Sequence, residues 1–277
     1  MLPFIASDRK SSSNEQQSAM PKVTTKKVEL RFYGMLNDFL HPASRQVPFW
    51  HGYMGSPSVK DIIESVGVPH VEVALILVNG VIVPFDFHPE NGDRISCYSR
   101  FHSINIGSIN LLQDLPSDPR FILDVHLGKL AKYMRIMGFD TLYQTNFTDS
   151  EILRIASDEC RIILTRDLGI LRNGLAKWGY YIRSTMPRLQ LIEVMDAFSL
   201  REKSNPFSRC SICNGLVEIV SKEQIIKDLN TSTIRYYKDF FRCQSCGQIY
   251  WEGSHYKKIE KFIDENLNGE RKTNHEE

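Results

Sequence analysis

Two sets of side chains in this sequence have the types and spacing to do chemistry. The first set is acidic: Asp124, Asp149, Glu151 and Asp167. Asp124 follows the apolar run FIL (121–123), and Asp167 closes the phrase RIILTRD (161–167). Hard divalent cations take oxygen ligands and keep several waters, so converging carboxylates suit Mg²⁺ or Mn²⁺ working on a phosphodiester. Asp124 and Asp167 are expected as the principal ligands, and Asp149 is expected to help hold the metal or position a water. Glu151 has two readings. It is a fourth catalytic acid, or it closes the capping box Thr148-x-x-Glu151 at a helix start. Asp149 has a plain alternative as a helix-dipole partner, and Asp167 one as an N-cap.

The second set is Cys210, Cys213, Cys243 and Cys246, in two CxxC pairs. Each pair offers two thiolates from one tight turn, and two such turns complete a tetrahedral S₄ shell. The expected ion is structural zinc, because a full shell leaves no open position. Zinc would help fold this small module. Cys97 and Cys160 are expected as core residues, and no disulfide framework is indicated.

The elements that position these groups follow from periodicity. Leu127, Leu130, Ala131, Met134 and Met137 share one helical face after Asp124, and Gly138 stands at the C-cap. Strands FIL, TLY (141–143), RIIL (161–164) and YYIR (180–183) alternate with helices at 127–137, 149–158, 168–177 and 188–198, the signature of a parallel α/β sheet. Upstream, Val28, Leu30 and Phe32 alternate in a first strand, and residues 45–50 read as a second. A helix capped by Ser58, a hairpin around Asn79-Gly80 and the strand RISCY complete an α+β domain. Its order matches a β-grasp, ubiquitin-like fold similar to sulfur carriers. The last strand runs into Arg100 and Phe101 without the Gly-Gly that sulfur transfer needs, so docking or scaffolding is the expected role.

The predicted organisation is a disordered tail at 1–26, the β-grasp domain at 27–101, a linker at 102–119 and the nuclease-like domain at 120–200. A zinc ribbon at 207–256 and a frayed tail at 264–277 follow. With 42% hydrophobic and 24% charged residues the chain has an ordinary core. A formal net charge of +1 excludes a protein held to nucleic acid by bulk charge. Any polyanion contact must therefore be local, and Lys129, Lys132, Arg135 and Arg166 are the candidates. Basic and aromatic residues interleave in the cysteine-bearing segment, which suits single-stranded RNA. No membrane span or signal segment is predicted, and the cysteine usage points to the cytoplasm.

FILDVHLGKLAKYMRIMGFDT, FTDSEILRIA, RIILTRD, SRCSICNG and FFRCQSCGQIYWEGSHY together resemble the Mut-seven C-terminal RNase family. The resemblance covers about residues 120–256, and residues 27–100 resemble the ubiquitin-like domain that accompanies the family. It implies a PIN-like nuclease domain with a zinc ribbon at its C-terminal end. It assigns Asp124, Asp149 and Asp167, with Glu151 as a further candidate, to the catalytic metal. Met134 replaces the family's usual Leu before Arg135, and His126 is read as a local substitution rather than a ligand. His255 in GSHY has no assigned role. The expectation is a metal-dependent ribonuclease; the alternative is a non-catalytic RNA- or protein-binding adaptor with a structural ribbon. The β-grasp domain leaves room for a protein partner.

Overall fold

The computed structural model describes residues 25–100, 112, 115–253, 257 and 261. Residues 1–24 of the expected N-terminal tail, the expected C-terminal tail, most of the expected linker and His255 lie outside the described residues, while Lys26, expected in the tail, already belongs to the first strand.

The N-terminal unit comprises β1 (Lys26–Tyr33), β2 (Phe49–Tyr53), α1 (Val59–Ser65), β3 (Val73–Val78), β4 (Val81–Ile82) and β5 (Arg94–Ser99). They form one mixed sheet in the order β2-β1-β5-β3-β4, with β1 and β5 parallel at its centre. This is a β-grasp-like domain. Val28, Leu30 and Phe32 of β1 point to the same core as Val59, Ile62 and Ile63 of α1. Ser58 and Asp61 close a capping box at the α1 start. The second strand sits later than the periodicity suggested, because Pro42–Ser44 forms a 3-10 turn and Gln46 takes a left-handed φ of 60°. Cys97 is buried, and burial pushes its thiol well up.

The central unit contains β6 (Arg120–Leu123), α2 (Gly128–Ile136), β7 (Thr141–Leu142), α3 (Asp149–Asp158), β8 (Arg161–Thr165), α4 (Leu168–Leu171), β9 (Gly179–Tyr181) and α5 (Pro187–Ala197). All four strands are parallel, in the order β7-β6-β8-β9. A parallel sheet needs both faces covered, and the pleat divides the strand residues accordingly. Phe121, Leu123, Ile162 and Leu164 pack with Leu130, Met134, Leu191 and Val194 from α2 and α5. Ile122 and Ile163 point the other way, toward Ile152, Leu153 and Ala156 of α3 and Ile170 of α4. Two expectations change. α4 is a single turn rather than a helix over 168–177. Cys160 is not core: it is exposed, with φ 52°, in the turn from α3 to β8.

The C-terminal unit is a small antiparallel sheet of β10 (Val217–Val220), β11 (Phe240–Cys243) and β12 (Ile249–Trp251), with the short helices α6 (Lys222–Ile225) and α7 (Thr231–Tyr236) between β10 and β11. No helix among the described residues is long and apolar enough to cross a membrane.

The β-grasp domain closes one edge of the parallel sheet. Val71 is fully buried and belongs to the α3–α4 core cluster of the neighbouring domain. A Cβ on Gly179 would stand 3.2 Å from the Val71 side chain, so glycine there admits the approach. Beside it, buried Glu72 accepts from the backbone N–H of Tyr181 on edge strand β9 and pairs with Arg183 at 3.2 Å. Arg183 reaches back to Asp38 at 2.8 Å. Burial pushes the Glu72 carboxyl up, while Arg183 opposes that shift. Removing one partner of a buried pair costs about 3–5 kcal/mol. Glu72→Ala should therefore lower stability by about 3 kcal/mol in urea unfolding, at the low end because Arg183 keeps Asp38. A loss below about 1 kcal/mol would mean that the pair is screened like a surface bridge.

Candidate active site and metal centre

β6 is the first strand of its domain, and the chain leaves it to one side for β7 and returns to the other side for β8. The carboxyl ends of β6 and β8 therefore flank a topological switch point, where open α/β sheets bind their ligands. Asp124 follows β6 and Asp167 follows β8. The register pairs Leu123 with Leu164, which places Asp124 level with Thr165. Asp149 opens α3, the helix after β7, so it lies at the same end of the sheet.

Asp124 is buried, and its carboxylate is met by donors. Oδ2 accepts from the Thr165 hydroxyl at 2.6 Å and from the Arg166 N–H at 3.3 Å; Oδ1 accepts from the His126 N–H at 2.6 Å. The Thr165 hydroxyl has one proton and gives it to Asp124. Its oxygen accepts from the Asp167 N–H at 2.8 Å. One buried hydroxyl thus ties the two aspartates together with a fixed polarity. Thr165 carries this link, and sequence reasoning missed it; the TxD phrase was the available signal.

Asp167 is exposed, and its Oδ1 caps α4 through the Gly169 N–H at 2.6 Å. Asp149 is exposed on the first turn of α3. Glu151 is exposed too, and its Oε2 accepts from both the N–H and the hydroxyl of Thr148, each at 2.8 Å. Those bonds hold its carboxyl below the usual range. The capping-box reading of Glu151 is thus realised in the fold. His126 contributes its backbone N–H to the Asp124 carboxylate. Tyr143 lies across the helix start, its hydroxyl donating to the Val125 carbonyl at 3.0 Å, and Gly128 leaves room for it because a Cβ would sit 2.6 Å from that hydroxyl.

The basic residues divide. Lys129 and Lys132 are exposed on α2. Arg135, expected on the same surface, is buried, which corrects that expectation. It donates to the carbonyls of Thr141 at 2.9 Å, Ile212 at 2.7 Å and Tyr143 at 3.4 Å. Residues spaced by three drift around a helix, and this one has drifted into the domain junction. Arg166 is half-buried and spends Nη1 on the carbonyls of Ile182, Arg183 and Ser184, at 3.0, 2.9 and 2.8 Å.

The cysteines converge. Sγ of Cys210 lies 3.6 Å from that of Cys246, and Sγ of Cys213 lies 3.4 Å from that of Cys243. A Zn–S bond near ~2.3 Å in a tetrahedron requires sulfurs about 3.8 Å apart, close to what is seen. Among the described residues this is the one set of three or more metal-capable side chains with all ligand atoms within 4.8 Å of one another. The knuckle geometry supports it. Cys213 and Cys246 direct their N–H groups at the first sulfur of each pair, both at 3.5 Å, while Asn214 and Gly247 take left-handed φ of 72° and 75°. Burial works to raise the Cys210 thiol, but the Tyr250 hydroxyl and nearby N–H groups outweigh it and bring it down to about 7. The carboxylates form no such compact group, and they fit a different donor set. Magnesium is held by one or two carboxylates together with waters and substrate phosphates, and Asp124 and Asp167 can provide such a pair.

The first knuckle also closes the second edge of the parallel sheet. Asn214 accepts from the Thr141 N–H of β7 at 2.9 Å and donates to Asp140 at 2.9 Å. Asp140, 2.7 Å from Arg161, is held below the usual carboxylate range despite its burial. Zinc removal by a chelator should release one equivalent of metal from the four-sulfur site and expose Trp251, shifting its emission to the red. Cys243→Ser should reproduce the shift, and unchanged emission on metal loss would show a ribbon that folds without zinc.

A family profile for the Mut7-C RNAse domain matches residues 119–263, and one for the Mut7-C ubiquitin domain matches residues 25–105. Searches of curated proteins and of solved structures found no match. The first profile alone spans more than half of the chain, across the parallel sheet and the four-cysteine ribbon, so the protein belongs to the Mut7-C RNase domain family, with a Mut7-C ubiquitin domain preceding the RNase domain.

Proposed function

We propose that this protein is a divalent-metal-dependent ribonuclease that hydrolyses phosphodiesters of single-stranded RNA. The observation carrying this reading is the pair of aspartates flanking the switch point, joined through the Thr165 hydroxyl. Asp124 and Asp167 would hold Mg²⁺ or Mn²⁺, Asp149 would help hold it or position a water, and Glu151 shapes the α3 start. The bound ion supplies Lewis-acid activation of a water and charge neutralisation at the phosphate. Thr165 fixes the orientation of the Asp124 carboxylate, and Lys129 and Lys132 attract the RNA backbone. Arg166 steadies the loop at 182–184 beside the crevice rather than gripping phosphate with Nη1. Membership of an RNase domain family supports the substrate class.

A second reading is favoured by one observation: Asp124, Glu151 and Asp167 all act as helix caps or cap partners. In that reading the chain is an RNA- or protein-binding adaptor. The two readings separate with purified zinc-loaded protein, Mn²⁺ and labelled single-stranded RNA. The nuclease reading expects cleavage that Asp124→Asn abolishes; equal inertness of both proteins with retained RNA binding would establish the adaptor. Thr165→Val, which removes the group that orients a ligand, should cost about 10–100-fold in metal affinity or rate. Thr165→Ser should stay near wild type, and a Thr165→Val protein at full rate would contradict the proposed role of the hydroxyl.

A further inference from the structure

A cavity of about 420 Å³ lies between α2 and the ribbon sheet, a size typical of small-ligand sites. Its walls include Ile136, Tyr237, Phe241 and Trp251, with Lys132 at the α2 side. Tyr237 and Trp251 have ring centroids 6.3 Å apart at an interplanar angle of 44°, so they form a splayed aromatic wall. Among the described residues no carboxylate lines the cavity. Of its cations, Arg209 is committed to Asp140 at 3.4 Å and the Asn214 carbonyl at 3.0 Å, whereas exposed Lys132 makes no ion pair among the described residues.

The cavity lies against the C-terminal half of α2, and the proposed active site lies before that helix begins. Asp124 precedes that helix, Lys129 and Lys132 are exposed along it, and Ile136 enters the cavity. At ~1.5 Å per residue, Lys129 stands about 10 Å along the axis from Ile136. A cationic track ending in an aromatic cavity complements a polyanion with flat apolar faces. Aromatic rings stack on unpaired bases, and exposed cations neutralise phosphates.

We infer that this cavity is a base-binding subsite, which takes one unstacked nucleobase of a single-stranded RNA whose phosphates run past Lys132 and Lys129 toward Asp124. This rests on the nuclease reading for the direction of the strand, but not for the cavity's own affinity. A duplex keeps its bases stacked and offers none to the subsite.

Full-length, zinc-loaded Trp50→Phe protein isolates the test, because Trp50 is exposed and far in sequence while Trp178 is buried. A short oligoadenylate, added without Mg²⁺ or Mn²⁺, should quench Trp251 saturably, and a duplex of adenylate with uridylate should bind more weakly. Tyr237→Ala should weaken binding roughly fivefold to a hundredfold, the range for loss of one stacked base, with Tyr237→Phe restoring it. Lys132→Glu, at an exposed position, should weaken binding and flatten its salt dependence. Quenching that is absent, equal for duplex and single strand, or indifferent to Tyr237→Ala and Lys132→Glu overturns the inference. If RNA is still cleaved in that case, the nuclease reading survives alone. If the subsite binds but Asp124→Asn changes no cleavage, the subsite stands and the nuclease reading falls.

Discussion

A short parallel sheet has two faces and two edges to protect, and this molecule is arranged around that requirement. Helices cover the faces of β7-β6-β8-β9. The edges expose unpaired backbone groups, which invite pairing with other chains unless something covers them. On β9, Glu72 of the β-grasp domain takes the Tyr181 N–H while Val71 seals the apolar side. On β7, Asn214 of the first cysteine knuckle takes the Thr141 N–H, and Arg135 donates to the Thr141 carbonyl. The two flanking units therefore finish the central one. The β-grasp domain docks against the parallel sheet within the chain, and the four-cysteine cluster sits where the first knuckle fixes a sheet edge.

That closure matters for the site because the switch point must keep its shape. Strands β6 and β8 set Asp124 opposite Thr165, and the hydroxyl then joins the Asp124 carboxylate to the Asp167 backbone. A buried carboxylate is costly unless donors surround it, and three do so here. The same donors orient it. Capping and ligation are compatible, since each carboxylate oxygen has two lone pairs and each of these caps uses a single hydrogen bond on Oδ1. Function concentrates where local rules are loaded twice.

Much of this was legible in the residues. The i, i+3, i+4 pattern after Asp124 gave α2, the alternation of short apolar runs with helices gave the parallel sheet, and the doubled CxxC gave the four-sulfur cluster. What the sequence did not carry was which side of an element met a neighbour. Arg135 had the spacing of a surface stripe, yet it is buried against the ribbon, because only the tertiary arrangement places Ile212 beside it. Cys160 had the look of a core residue and turned out exposed, since α3 ends two positions before it and the chain reverses there. Thr165 lies just past the expected strand RIIL and was not singled out; its role exists only once β6 and β8 are side by side.

The central claim is that two aspartates from neighbouring strands share a divalent cation at the carboxyl end of the sheet. Anomalous scattering from crystals soaked in Mn²⁺ tests it most directly. The account requires a peak within about 2.0–2.3 Å of carboxylate oxygens of both Asp124 and Asp167, separate from the zinc signal at the four cysteines. Manganese density on neither aspartate, or on other acids alone, would contradict it.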